Sequence, residues 1–140
     1  MTHASRDTTT GLLFESITKG EAPGIEVSKH DLYRLLEKHN IKWQTILSRK
    51  LLPDEAYWDE ATKTLSIFEK KTQQSEGSAD EKPQTCAFKI WEFSKIGKAL
   101  GAEKVTYTYI LSSWFSQPKY KDMLDYIKTV PGCDYIIKED

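Results

Sequence analysis

Two periods of hydrophobic residues run through the chain. Between Leu51 and Thr72 apolar and polar positions alternate in twos, predicting strands over 51–58 and 65–72 with Asp59-Glu60-Ala61-Thr62-Lys63-Thr64 turning the chain between them. Val105 to Leu111 is β-branched and aromatic and reads as an interior strand. Helical spacing governs most of the remainder. Leu12, Leu13, Phe14 and Ile17 mark a short helix that Thr8-Thr9-Thr10 caps and Gly20 ends, and a loop runs from Gly20 to Gly24. Leu32, Leu35 and Leu36 mark a second helix, opened by the capping-box-like Ser28-Lys29-His30-Asp31 and ended at Asn40. Trp43, Ile46 and Leu47 add a further turn or two before the chain extends at Leu51.

Pro83, which lacks an N–H, suits the first turn of a third helix. Cys86, Ile90, Phe93, Gly97 and Leu100 form its buried seam, Ala87 and Trp91 widen it, and Gly101 closes it. Lys89, Lys95 and Lys98 with Glu92 make the solvated side. Pro118 starts a last helix with Tyr120, Met123, Leu124 and Ile127 facing the core, and Pro131-Gly132 stops it. Asp134 to Lys138 supplies an edge strand, and Trp114-Phe115 reads as an apolar cap on the core. The strand-helix-strand order from Leu65 to Leu111 implies a parallel pair with a right-handed crossover. The expected fold is α/β, a mixed β-sheet flanked by helices, in one domain spanning 1–140 with 1–8 as a flexible start.

The hairpin carries the chemistry. If it is symmetric about Ala61 and Thr62, Trp58 faces Leu65, Ala56 faces Ile67 and Asp54 faces Glu69. Directly opposed Cβ atoms lie ~4.5–5.5 Å apart, where like charges are destabilising, so a cation is expected between the two acids. Leu65, Ile67, Glu69, Lys71 and Gln73 share one face, an apolar root followed by an acid, a base and an amide.

Pro53-Asp54 followed by Glu69-Lys70-Lys71 resembles the signature of the PD-(D/E)XK nuclease superfamily, whose core is the restriction-endonuclease-like fold. The run EKKTQQSEGSADEKPQTC is similar to small phage- and bacterial-type members, in which an acidic helix near the N-terminus precedes the PD strand. The resemblance covers Gly11 to Ile137, and the passage before Leu51 departs from it, since the family has another strand there. It implies a metal-dependent DNA endonuclease. Asp54, Glu69 and Lys70 would make the metal site, with Asp54 and Glu69 as the carboxylate ligands of Mg²⁺, and Lys71 would orient or activate the attacking water. Glu15 would be an auxiliary acid, and Gln73 would join the catalytic face. Mn²⁺ would substitute for Mg²⁺. Hard oxygen ligands suit Mg²⁺, which keeps several waters and stabilises charge on a phosphate in an in-line displacement. Lys70, Ser78, Lys82 and Lys89 are the candidate DNA contacts. Two other readings stand beside this one: a nuclease fold that binds DNA or protein without cutting, and a surface ion cluster with no chemical role, where exposed pairs contribute ~0–1 kcal/mol.

Composition narrows the setting. With 29% charged and 39% hydrophobic residues and a net charge of −1, the 140-residue chain has no global nucleic-acid signature, so any DNA affinity must be local. No apolar run reaches transmembrane length and the polar start is unlike a signal peptide, so a cytoplasmic, membrane-free protein is expected. Cys86 and Cys133, the latter placed in a turn, read as reduced thiols. His3, His30 and His39 lack metal-ligand spacing, and neither a Ser-His-Asp set nor a glycine-rich phosphate loop is evident, so no organic cofactor is expected. A homodimer is expected from function alone, since two duplex strands call for two sites.

Overall fold

A computed structural model describes residues 24–71 and 83–138. Glu15, Gln73, Ser78 and Lys82, and the expected first helix, lie outside the described residues. Among the described residues the fold is α/β, a five-stranded mixed sheet with three helices. The strands are β1 (Ile25–Glu26), β2 (Glu55–Asp59), β3 (Thr64–Lys71), β4 (Lys104–Ser112) and β5 (Cys133–Lys138), adjacent in that order. β1, β2 and β3 pair antiparallel, whereas β3, β4 and β5 pair parallel. The helices are α1 (Asp31–Lys38), α2 (Cys86–Leu100) and α3 (Lys121–Thr129).

The hairpin has the expected register. Trp58 pairs with Leu65 and Ala56 with Ile67, and the ladder runs to Glu55 opposite Phe68. Strand alternation then sends Ala56, Trp58, Leu65 and Ile67 to one face, joined across β4 and β5 by Tyr107, Tyr109, Leu111 and Cys133. All belong to a single apolar core with Leu32, Leu35 and Leu36 of α1, Phe93, Ile96 and Leu100 of α2, and Met123 and Ile127 of α3. The opposite face carries Tyr57, Ser66, Phe68, Thr108 and Ile110, also buried. Phe115 is buried and Trp114 packs against the core, as expected for an apolar cap. Asn40 takes a left-handed φ of 58° just past α1, and Gly101 does the same at 80° past α2, so both helices end where expected.

Several local expectations are corrected. The strand expected over 51–58 begins only at Glu55, because Leu51 to Asp54 is held instead by the α1 side of the molecule. No capping box opens α1: the Ser28 hydroxyl donates to Glu26 Oε2 at 2.7 Å and accepts the Ala56 N–H at 3.2 Å, which ties the loop to the sheet edge. On α2, Ala87 and Trp91 are exposed rather than part of the seam, and Glu92 is buried rather than solvated. Ile96 takes the place in the core that the wider seam assigned to them. Cys133 opens β5 instead of lying in a turn; its thiol faces the Cys86 carbonyl, and both cysteines are buried and outside any disulfide.

No periodicity marks β1, although the resemblance implies a strand before Leu51, and Gly24 shows why so short a strand persists. Its φ of +81° is left-handed, and a Cβ there would lie 2.1 Å from the Trp58 carbonyl oxygen. Gly24→Ala is therefore expected to destabilise the fold by about 1–3 kcal/mol, read as a lower urea midpoint at unchanged slope. A variant as stable as the parent would mean that β1 contributes nothing.

Candidate active site

The site lies where the β2–β3 hairpin runs out of apolar residues. Ile67 is fully buried, and two positions further along the same face of β3 stand Glu69 and then Lys71. Asp54 is the next residue in register, one position before β2 begins. Its side chain accepts the Lys70 backbone N–H at Oδ2, 2.9 Å away, and its own amide and carboxyl both reach Glu69. The two acids expected to face each other are thus in hydrogen-bond contact.

A chain of contacts holds Asp54 in place. Pro53, fully buried, accepts the Lys29 N–H at 3.0 Å, and the Tyr33 hydroxyl of α1 donates to the Leu51 carbonyl at 2.7 Å and accepts the Leu51 N–H. Lys29 itself adopts a left-handed φ of 51°, which carries its ammonium to 3.7 Å from Asp54 Oδ1. No sequence pattern marks that lysine, because only the turn geometry brings position 29 to position 54.

Electrostatically the pair is lopsided. Burial pushes the Asp54 carboxyl up, but the Lys70 amide, the hydrogen bond to Glu69 and the charges of Lys29 and Lys71 outweigh it and hold the group below its usual range. Burial, followed by the hydrogen bond and charge of Asp54, pushes Glu69 up to about 7, against which Lys71 pulls only weakly. The proton of the pair therefore favours Glu69, with Asp54 the ionised partner.

Beside Glu69 opens a recess of about 220 Å³ lined by Arg49, Lys50, Leu51, Leu52, Lys89 and Phe93. Three cationic residues share this lining with one acid. Lys89 was a candidate DNA contact from sequence, whereas Arg49 and Lys50 were not, since a lone basic pair before a strand carries no signal until the fold sets it against Glu69. Lys50 also lies 5.1 Å from the centre of the Tyr33 ring. Lys70 divides its two ends: the amide serves Asp54, while the ammonium sits on the other face of the strand, 2.8 Å from Glu55 Oε1.

The donor set fits a small hard cation. Two carboxylates in contact, one of them pushed toward its protonated form by burial and by the other, gain most from a divalent ion, and Mg²⁺ would fill its remaining positions with water or phosphate oxygen. No group of three or more His, Cys, Asp or Glu residues suited to a metal ion occurs among the described residues. Comparison with known proteins finds no matching family model, no matching curated protein and no matching solved structure.

Proposed function

We propose that the chain is a metal-dependent endodeoxyribonuclease of the PD-(D/E)XK type on a restriction-endonuclease-like core. The observation that carries the reading is the contact between Asp54 and Glu69 at the frayed end of the hairpin, with Lys71 two residues along the same strand face. Packing does not call for it. A structural hairpin gains nothing from opposed acids, and burying one of them costs free energy unless a positive charge arrives.

Asp54 and Glu69 would hold Mg²⁺ or Mn²⁺, which supplies Lewis-acid stabilisation of a phosphate and a more acidic water. The protein's own residues do the rest. The Lys70 amide and Lys29 fix the Asp54 carboxylate, and Phe93 and Leu51 dry one side of Glu69. Arg49, Lys50 and Lys89 present positive charge to the phosphate beside Glu69. Lys71, on the same face as Glu69, holds the attacking water by hydrogen bond and offsets charge that grows on the phosphate. In this reading the substrate is DNA and the location cytoplasmic; among the described residues no helix is long and apolar enough to cross a membrane.

Supercoiled plasmid, linear duplex, single-stranded and branched DNA, each incubated with the protein in Mg²⁺ or Mn²⁺, test the reading. Scission of at least one is expected. Binding without scission of any would favour the non-cutting module. Light scattering with and without DNA checks the homodimer, and a monomeric mass in both would limit a cutting enzyme to nicking.

A further inference from the structure

The outer face of α2 carries a feature that the core does not use. Phe88 and Trp91, more than half exposed at 55% and 56%, stack on each other with ring centroids 5.9 Å apart and planes 26° apart. The Lys95 ammonium lies 4.1 Å from the centre of the Trp91 ring. Single exposed aromatics are ordinary in soluble proteins; two stacked rings with a cation in line, one helical turn apart, form a continuous surface.

The charge around the rings indicates what covers them. α2 contains one acid, Glu92, and it is buried near Lys89, so the outward side formed by Phe88, Trp91, Ser94, Lys95 and Lys98 is purely cationic in a chain of net charge −1. A second copy docking through this face would bring like lysines together across a two-fold axis. Duplex DNA hides its base faces within the stack and would leave the rings unused. Unpaired nucleotides satisfy both halves of the surface, bases on the rings and phosphates on the lysines.

Location connects the surface to the candidate site. Trp91 stands between Lys89 and Phe93, which line the recess beside Glu69, so the rings lie level with the recess on the other side of the helix. The path round half of a helix ~10–12 Å across is roughly 16–19 Å, which about five stacked nucleotides at ~3.4 Å each would span. We propose that Phe88, Trp91 and Lys95 form a stacking platform for unpaired bases, which makes DNA with a single-stranded segment the substrate class. The link to cleavage rests on the function proposed above; the binding itself does not.

Fluorescence anisotropy without divalent metal separates the two. With a labelled oligothymidylate, the Phe88→Ala/Trp91→Ala protein is expected to bind roughly tenfold or more weakly than the parent, and Trp91→Phe to keep most of the affinity. Affinity for a duplex of the same length should stay within about twofold, because lysines dominate it. Both rings are exposed, so the melting temperature should not move. Equal single-strand affinity in parent and double variant, no single-strand binding by the parent, or equal losses on both DNAs would overturn the platform. So would a parental dimer that the double variant converts to monomer, which would assign the face to a second copy. A protein that binds the oligonucleotide through Trp91 yet cuts nothing would refute only the nuclease reading.

Discussion

Replacing Glu69 by glutamine is expected to stabilise the metal-free protein at pH 8 and to abolish its stabilisation by Mg²⁺. Glu69 ionises near 7 in the fold against 4.5 as the ordinary value, so between those limits the folded state binds more protons than the unfolded. The protonated form is the favoured one. Its contribution to stability is therefore complete below about pH 4.5 and lost as pH rises through about 7. Asp54 runs the other way, its contribution being present above its unfolded value of 3.8 and lost as pH falls, outside the Glu69 window. Partial exposure screens the Glu69 effect, leaving about 1–2 kcal/mol, or a rise of roughly 3–8 °C in melting temperature on removing the charge. Excess Mg²⁺, at ~100 times its Kd, should stabilise the parent by about 2.7 kcal/mol and the variant far less. Thermal melts from pH 5 to 8 with and without metal measure both. A parent whose stability is flat across that range and indifferent to metal would reduce the acids to surface groups.

Lys71→Ala is expected to lose turnover by roughly 10²–10³-fold while binding DNA and Mg²⁺ as the parent does. Cation affinity should be unchanged or slightly higher, since Lys71 is a positive charge acting on both Asp54 and Glu69. Glu69→Ala should lose cation affinity and turnover together. The two variants thus fail in different ways, which calorimetric titration of metal and single-turnover cleavage read separately. If Lys71→Ala cut at the parental rate, Lys71 would have no part in holding the nucleophile.

Much of this site was legible in the sequence because period-2 alternation and a symmetric turn determine register, and register alone puts Asp54 opposite Glu69. The interior strand β4 and its parallel pairing were legible for a different reason, a long β-branched and aromatic run after a helix. What stayed hidden depends on contacts between distant segments. Two residues of β1 are too few to show a period, and they are held by Gly24 and by the Val27 N–H donating to the Ala56 carbonyl. Helical spacing groups Trp91 with the apolar residues of α2, but which residues flank the seam is decided by what packs on the helix, and there Ile96 prevails. Lys29, Arg49 and Lys50 join the site only through turns, and a single lysine or arginine has no pattern of its own.

Cleavage rate against Mg²⁺ concentration, measured side by side for the parent and for Glu69→Ala from the same preparation, tests the central claim most directly. The account predicts scission that requires a divalent cation, stops with a chelator and falls by about 10²-fold or more in Glu69→Ala. Equal rates in the two proteins, or scission that ignores the chelator, would contradict it.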